Sequence, residues 1–436
     1  MRVSGLALVR LSRAGELPGT LATLPGEMRR TAAQVRDDAL RWGVWKVLWS
    51  IASGMSPGIR VKVKRHVKLP RRGPLLLVSN HPSPWDPIYV AWSLHRQVHN
   101  LGTDQLMRVK YFGWMFPYFS MIPFKKGMKD PAALAEVERR VRRGDCVLIF
   151  AEGDRTWTGR SNPIKPGIGR MAKRLGVPVG FVKVSTGHMT WPRWAKKMRS
   201  VPYVVEHVAL KSYPESATPE DIVADVERYI SVDPYEEKLP PRSRGKQLAL
   251  GFPEFMWCCP SCFHQDGIAL VEGDDDAVRC HGCGGVWRLT LDCWMRAEGG
   301  PVRDMHVDEA YGRVIEHFGE LPIIDREREA ESGIKLEGEV KIDLIHYGQV
   351  EPEQLGMGHL ELHADKLRFQ DHRGHDAIEL RFGDIKAVLM QVGNVLQVRT
   401  EGDNYQISPT IHSTNMWKYF IDRHLKHYRR QQKSAQ

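Results

Sequence analysis

The sequence predicts an α/β fold with a mostly parallel sheet covered by helices, followed by a small cysteine-rich module and an antiparallel, barrel-like β-domain with a final helix. Three observations lead to this prediction. Between about residues 73 and 210, short apolar runs alternate with helical stretches, which is typical of parallel sheets. Six of the seven cysteines lie between Cys258 and Cys293. From about Lys335, apolar residues alternate in short runs, as antiparallel strands require.

In the first unit, the apolar runs 75–78 and 146–150 contain no polar residue and predict strands that are buried on both faces. The pattern also predicts helices over 132–143 and 168–175, and a strand over 201–210. A proline-rich and basic stretch at 239–246 predicts a linker after this unit.

The composition agrees with a large folded protein of several domains. A chain of 436 residues predicts about three domains, and a hydrophobic fraction of 42% is enough for buried cores. The formal net charge of +11 favours anionic partners: membrane phospholipid, the phosphates of coenzyme A, or nucleic acid. The charge alone does not distinguish among them.

The N-terminal region predicts contact with a membrane surface, without a spanning helix. No run approaches the roughly 18 apolar residues that a spanning helix needs. Charged residues interrupt every candidate signal-peptide core. In the segment 42–51, however, three tryptophans recur at helical spacing beside aliphatic residues, as in helices that lie among lipid headgroups. Periodicity alone equally allows a helix that packs on the protein's own core.

A histidine and an aspartate follow the apolar run 75–78. His81 and Asp86 lie where a buried strand turns toward a helix. A histidine that is oriented by a carboxylate can take a proton from a hydroxyl near neutral pH. Hydrolytic triads use the same pair with a serine or cysteine nucleophile, whereas here the hydroxyl could belong to a substrate. The alternative is that the two residues only cap a turn and a helix.

A second polar group follows the run 146–150. Glu152, Gly153 and Arg155 form a candidate anion clamp, because arginine offers a two-pronged donor to phosphate and glycine lets the backbone approach closely. The alternative is a surface ion pair that contributes little. Between the two motifs, a short apolar strand ends at Lys125 and Lys126.

Together these blocks resemble the glycerolipid acyltransferase family, which includes lysophosphatidic acid and glycerol-3-phosphate acyltransferases. The blocks are the histidine and aspartate separated by four residues, a basic strand end, the pattern Phe-x-Glu-Gly-x-Arg, and a Val-Pro-Val strand. They occur in the family's order between about residues 75 and 183. An ordered set of this kind is far more specific than any one block.

The resemblance implies an enzyme. His81 would be the general base and Asp86 would orient it, while an acceptor hydroxyl attacks an acyl thioester carried on coenzyme A or acyl carrier protein. Glu152, Gly153 and Arg155 fall on the family's acceptor-binding block. Lys126 falls where the family usually carries an arginine that holds phosphate. The acceptor would be a lysophospholipid or related glycerolipid at the membrane surface, so the protein is expected on the cytoplasmic face of a membrane, peripheral or monotopic.

This sequence departs from the family at the acceptor block. Lys126 offers a point charge where an arginine would offer a fork. Ala151 and Asp154 replace the more usual proline and threonine. Asp154 would repel an anionic acceptor unless Arg155, Lys125 or Arg160 offsets its charge. These changes leave the histidine and aspartate intact but allow a less highly charged acceptor.

The cysteine-rich module predicts a structural zinc site. Two Cys-x-x-Cys knuckles, with 17 residues between them, supply the four thiolates that tetrahedral zinc prefers: Cys259, Cys262, Cys280 and Cys283. Proline and glycine beside the knuckles resemble a zinc ribbon. Cys258 could replace Cys259, although the spacing favours Cys259. Disulfides are the alternative, which the lack of an export signal disfavours.

The C-terminal section resembles a pleckstrin-homology-like or GRAM-type domain, in pattern only. Short alternating strands are followed by an amphipathic helix with Trp417, Phe420, Ile421 and Tyr428 on one face. Such a domain would target a membrane or a protein. An unrelated small β-domain would have the same pattern.

The sequence therefore predicts six segments: an N-terminal helical, membrane-interface segment (1–60), an acyltransferase domain (61–235), a linker (236–254), a zinc ribbon (255–298), a helical connector (299–334) and the C-terminal domain (335–430). The main alternative function is a catalytically inactive lipid-binding adaptor with the same fold. A nucleic-acid-associated protein is disfavoured, because no basic-aromatic recognition module is visible. No nucleotide or redox cofactor is expected.

Overall fold

The computed structural model describes residues 60–94, 96–104, 120–320, 336–346, 353–391, 395–410 and 412–434, together with positions 40, 43 and 47. The tryptophan-containing segment 42–51 therefore lies outside the described residues, apart from positions 43 and 47. None of the described helices combines the length and the apolar composition that crossing a bilayer requires.

The first unit is built on a seven-stranded sheet in the order β1-β7-β6-β2-β5-β3-β4. All neighbouring strands are parallel except β6 and β7. This confirms the predicted mostly parallel sheet. The strands are β1 (Val61–Arg65), β2 (Leu75–Ser79), β3 (Val98–Thr103), β4 (Met121–Phe124), β5 (Cys146–Phe150), β6 (Val179–Val184) and β7 (Tyr203–Lys211).

Helices cover both faces of this sheet because its central strands are apolar on both sides. In β2, Leu75 and Leu77 pack into one apolar cluster with α1, while Leu76 and Val78 pack into the opposite cluster with α2, α3 and α5. The helices are α1 (Asp86–Ser93), α2 (Pro131–Arg142), α3 (Gly167–Leu175), α4 (Gly187–Thr190) and α5 (Pro219–Ile230). An uninterrupted apolar run thus becomes a strand that is buried on both faces, as predicted.

The cysteine-rich module forms a five-stranded antiparallel sheet in the order β12-β11-β10-β9-β8. Its core is continuous with side chains outside the module, including Trp194 after α4 and Met416 near the C-terminus. The elements are α6 (Phe252–Phe255), β8 (Ile268–Val271), β9 (Asp274–Cys280), β10 (Val286–Leu289), β11 (Trp294–Gly299), β12 (Met305–His306) and α7 (Val307–Glu320).

The C-terminal unit is a curled, seven-stranded antiparallel sheet, a half-barrel that is followed by a helix. Its order is β16-β15-β14-β13-β19-β18-β17, so β16 and β17 are edge strands. Trp417 and Ile421 of the helix are fully buried against the sheet, and Phe420 and Tyr428 pack beside them. The elements are β13 (Leu336–His346), β14 (Glu353–Leu362), β15 (Lys366–Asp371), β16 (Ile378–Arg381), β17 (Ala387–Met390), β18 (Leu396–Arg399), β19 (Asp403–Pro409) and α8 (Thr414–Ser434).

The predicted antiparallel domain with a final helix is therefore confirmed. Its assignment to the pleckstrin-homology-like or GRAM type stays a prediction, as do the six segment boundaries.

Candidate active site

The candidate site lies where the parallel strands β2 and β5 end side by side. Ser79, the last residue of β2, is in register with Phe150, the last residue of β5. The loops that follow the two strands therefore meet at one edge of the sheet. The Asn80 side chain ties the first loop to β6, because it donates to the Val184 carbonyl (2.9 Å) and accepts from the Val184 amide (2.7 Å).

His81 and Asp86 are in direct contact. Nδ1 of His81 lies 2.6 Å from Oδ2 of Asp86, which is completely buried as the first residue of α1. The Asp86 carboxylate also accepts the Ser83 amide N–H (2.9 Å) and the hydroxyl of Tyr203. Three donors on one carboxylate hold its orientation. Because Asp86 accepts the Nδ1 proton, Nε2 of the neutral imidazole carries the free lone pair.

The imidazole ring of His81 packs face to face against an aromatic ring and is partly exposed to solvent. It stacks on Phe150 with ring centroids 4.1 Å apart and an interplanar angle of 16°. Its side chain is 20% exposed, and Nε2 has no hydrogen-bond partner among the described residues. The basic nitrogen is therefore available to a ligand from the solvent side.

Tyr203 belongs to this site although the sequence did not single it out. It lies on β7, 117 residues from Asp86 along the chain. Burial, followed by the neighbouring Asp86 charge, raises the pKa of Tyr203 well above its usual value, so it stays a hydrogen-bond donor. A tyrosine in an otherwise ordinary strand has no local signal that would reveal this contact.

Glu152 links the two loops. Oε1 accepts the backbone N–H of His81 (2.8 Å) and Oε2 accepts the backbone N–H of Asn162 (2.7 Å). Burial raises the pKa of Glu152 to about 7, against the opposing effect of these two hydrogen bonds. The chain can turn sharply after Glu152 because Gly153 adopts a left-handed conformation (φ 72°).

Asp154 is neutralised by two cations. Lys126 Nζ and the guanidinium of Arg193 each lie 3.0 Å from Oδ1 of Asp154. Burial would raise the pKa of Asp154, but these two charges outweigh it and hold the pKa below its usual range. Of the cations that the sequence offered to offset Asp154, Arg160 pairs instead with Asp233 and Asp308. The charge of Asp154 does act on Arg155, whose pKa it raises against the larger lowering effect of burial.

Arg155 presents a cation that no described residue neutralises by direct contact. Its guanidinium makes no hydrogen bond or ion pair within the described ranges, although its backbone N–H donates to Asp154 (2.8 Å). Burial and the nearby Arg193 lower the pKa of Arg155 to about 10, so it is still charged at neutral pH. A partly buried, unpaired guanidinium is suited to an anionic ligand.

Arg193 is a second residue that the sequence analysis missed. Its guanidinium lies over the Trp157 ring at 4.3 Å and donates to the Arg155 carbonyl (2.8 Å). Trp157 stacks in turn on Phe255 of α6, with centroids 5.5 Å apart. The local signal was present, because Arg193 lies in the run Trp-Pro-Arg-Trp.

The C-terminal sheet contacts the loop that carries Lys126. The completely buried Arg399 of β18 donates to the Lys126 carbonyl (2.9 Å) and pairs with Asp104 at 3.2 Å. Gly127 (φ 83°) lies against Ala387 of β17, so closely that a Cβ at this glycine would lie 2.5 Å from the alanine Cβ. The cysteine-rich module, through Phe255, and the C-terminal sheet, through Arg399 and Ala387, therefore both pack on the cationic side of the site.

The four predicted cysteines form one cluster. The ligand atoms of Cys259, Cys262, Cys280 and Cys283 all lie within 4.8 Å of one another, with Sγ pairs at 3.9 and 3.6 Å. Four thiolates at about 2.3 Å from a tetrahedral zinc ion are about 3.8 Å apart, so the arrangement fits zinc. Cys258 points elsewhere, toward the Cys259 carbonyl, and all the cysteines are free of disulfides.

Comparison with known proteins places the first unit in a family context. Residues 60–184 match the family model described as "Acyltransferase". The 1-acyl-sn-glycerol-3-phosphate acyltransferase BAT2 of Brassica napus is 32% identical over 110 residues, which cover 24% of this chain and 31% of that protein. The 1-acyl-sn-glycerol-3-phosphate acyltransferase of Pseudomonas aeruginosa is 25% identical over 154 residues, which cover 34% of this chain and 58% of that protein.

A solved structure, the 1-acyl-sn-glycerophosphate acyltransferase PlsC of Thermotoga maritima, matches 44% of this chain and 79% of its own length with 19% identity and a TM-score of 0.37. The alignments with the Brassica napus and Pseudomonas aeruginosa proteins cover about a third and somewhat over half of the length of those proteins, respectively. Residues 60–184 are an acyltransferase domain of the lysophosphatidic acid acyltransferase type, by distant homology.

Proposed function

We propose that this protein transfers a fatty acyl group from an acyl thioester to a hydroxyl of a lysophospholipid or related glycerolipid at a membrane surface. The observation that carries the proposal is the contact between His81 and a buried, triply hydrogen-bonded Asp86 inside the segment that matches the acyltransferase family. No serine or cysteine completes a hydrolytic triad in this loop, so the attacking hydroxyl is assigned to the acceptor.

In the proposed reaction, Nε2 of His81 removes the proton of the acceptor hydroxyl as its oxygen attacks the thioester carbonyl. The imidazolium that forms is stabilised by Asp86, which keeps the ring in the productive tautomer. The tetrahedral intermediate then collapses: the carbon–sulfur bond breaks and the thiol takes the proton from Nε2. The products are the ester and the free thiol of coenzyme A or acyl carrier protein.

The cationic side of the site is proposed to bind the acceptor. Arg155 is the strongest candidate for a phosphate ligand, because its guanidinium is partly buried and has no ion-pair partner within the described ranges. Lys126 is already paired with Asp154, which leaves it less free to hold a second anion. Glu152 and Gly153 would act by placing the loop, since both Glu152 oxygens accept backbone N–H groups.

We assign the four-cysteine cluster to structural zinc. Four protein thiolates fill a tetrahedral shell and leave no position for substrate, so the ion would brace the module without taking part in acyl transfer. We propose that the protein acts at a membrane surface and that the N-terminal segment 1–60 contacts this surface.

The test is acyl transfer from radiolabelled acyl-coenzyme A, or acyl carrier protein, to a panel of lysophospholipids and glycerol phosphates. We expect a labelled lipid with the wild-type protein and none with His81→Ala, while His375→Ala, which changes an exposed histidine on the C-terminal unit, retains the activity. No product from either carrier, together with retained lipid binding, would favour the inactive adaptor.

A further inference from the structure

The edge of the first sheet carries a run of positive charge without a single carboxylate. Residues 60–72, here called the basic edge, contain seven lysines and arginines, one histidine and no aspartate or glutamate. All eight basic side chains are exposed. The segment includes β1, the edge strand, where Lys62 and Lys64 point to solvent. Lysines often protect an edge strand from aggregation, but that purpose does not need the positive charge to continue past the strand.

The basic edge ends at a cavity of about 360 Å³. Its lining includes the cations Arg65, Lys68 and Arg71 together with His66, and its apolar lining includes Leu69 and Leu94. The buried His207 forms part of the wall and hydrogen-bonds Ser93 at 2.8 Å. A cavity of this size accepts a phosphate-bearing headgroup, and its apolar wall accepts the adjoining part of a lipid.

Among the residues that the structure describes, few carboxylates pair with this charge. Glu206 on the neighbouring strand β7 lies 3.4 Å from Lys64 and 3.2 Å from His66. Arg65 donates to the Ser93 carbonyl at 3.4 Å, a neutral partner. Lys68 and Arg71 form no ion pair with any residue of the described ranges. Cations gathered around a cavity without counter-charges repel one another, which an anionic ligand would relieve.

The position of the edge relates it to the candidate active site. The first residue of β1, Val61, is in register with Tyr203, which contacts Asp86, and its last residue, Arg65, is in register with His207. The basic edge therefore starts at the edge of the sheet that carries the site, although β7 and β6 separate β1 from β2, and it runs to the cavity at the opposite edge.

We infer that the basic edge docks the protein on an anionic phospholipid surface, with a lipid phosphate in the cavity between Arg65, Lys68 and Arg71. This inference rests on the proposed function in one respect, which is that the protein acts at a membrane. Because lipid binding is measured without acyl transfer, the two proposals can fail independently. The attraction is electrostatic, so it weakens with added salt.

The test is co-sedimentation of the full-length protein with vesicles of phosphatidylcholine alone or mixed with phosphatidylglycerol. The variant is Lys68→Gln with Arg71→Gln. The control, Arg170→Gln with Arg381→Gln, removes the same charge from exposed positions on α3 and β16. Matching thermal unfolding curves establish that both variants are folded.

We expect binding to depend on phosphatidylglycerol and to fall about fivefold for each cavity cation removed, or about 25-fold for the pair. The control should stay within about twofold of wild type, because distant charges are screened. Equal losses in variant and control would overturn the inference, since the effect would then be one of net charge. Binding to phosphatidylcholine alone with equal strength would also overturn it.

A second arm distinguishes the source of the phosphate. Glycerol 3-phosphate is added at matched ionic strength, and its effect on the unfolding temperature is compared between wild type and the Lys68→Gln, Arg71→Gln variant. Stabilisation of the wild type alone, with vesicle binding unchanged in the variant, would assign the cavity to a soluble phosphate ester and overturn the lipid docking.

Discussion

The two sides of the candidate site differ in where their supports come from. On the His81 side, every described contact comes from the first unit: Asp86, Tyr203 and Glu152 hold the imidazole and its loop. On the Lys126 side, two further supports come from elsewhere in the chain. Phe255 of α6 stacks on Trp157 beneath Arg193, and Arg399 of the C-terminal sheet bonds the Lys126 backbone.

This difference indicates that the proposed chemistry and the proposed acceptor binding are separable. A base and its orienting carboxylate need sub-ångström placement, which short contacts within one unit provide. The cations that meet the acceptor can instead depend on the added module and half-barrel. Changes in those parts should therefore alter KM for the acceptor more than kcat, whereas changes at the base should alter kcat.

The largest effect is expected from Asp86→Asn. The amide cannot hold the Nδ1 proton of His81 as the carboxylate does, so we expect kcat to fall about 10²- to 10⁴-fold with little change in KM. Steady-state acyl transfer measures both parameters, and Asp384→Asn, on the C-terminal unit, is a control. An unchanged kcat would show that the pair does not act as base and orienter.

Removal of metal from the cysteine cluster should have the next largest effect. Zinc binding and folding are coupled in such modules, so chelation should lower the unfolding temperature. Because Phe255 supports Trp157 and Arg193, KM for the acceptor should rise more than kcat falls. Cys280→Ser should behave like the chelated protein and Ser261→Ala like wild type. A loss of kcat with unchanged KM would contradict the separation of the two sides.

Arg399→Met should destabilise the protein by about 3 kcal/mol, because it removes the ion pair of the buried Arg399 with Asp104 and its hydrogen bond to the Lys126 carbonyl. It should also raise KM for a phosphate-bearing acceptor, since the Lys126 backbone loses its hydrogen bond. Urea unfolding and steady-state kinetics measure the two effects. The matched variant Arg381→Met removes an exposed arginine from β16 and should change neither. If the variant is less stable but its KM for the acceptor is unchanged, Arg399 only holds the C-terminal unit against the first unit and does not influence acceptor binding.

The smallest effect is the dependence of stability on pH that Glu152 causes. Its pKa is raised by burial to about 7, so between the unfolded value of about 4.5 and pH 7 the folded state holds a proton that the unfolded state has released. This contribution is present below about pH 4.5 and is lost as the pH rises to about 7, by about 3 kcal/mol at most.

The buried His99 and His188 act in the opposite direction, because burial lowers the pKa of each to about 3. Urea unfolding from pH 5 to pH 8 should therefore be compared between wild type and Glu152→Gln. The variant should start less stable, because its amide cannot accept both backbone N–H groups, and the difference should shrink as the pH rises. A constant difference would show that Glu152 does not titrate in this range.

Local patterns in the sequence were enough for the buried strands and for the short-range part of the site. Uninterrupted apolar runs predicted strands buried on both faces, and five positions of separation allowed His81 and Asp86 to meet across one turn. The spacing of the knuckles predicted the four-cysteine cluster, which the structure confirms. In each case, the interacting residues are close in sequence or repeat a short motif.

Contacts between distant parts of the chain were decided only by the tertiary structure. The sequence indicated that Asp154 needs a cation nearby, but Arg193, which provides one, lies 39 positions away. Tyr203 is still farther along the chain from Asp86, and Arg399 from Lys126. Their positions depend on the order of strands in the sheets and on how the half-barrel packs. Periodicity and spacing report the local backbone, whereas the partners of a buried charge are set by the path of the whole chain.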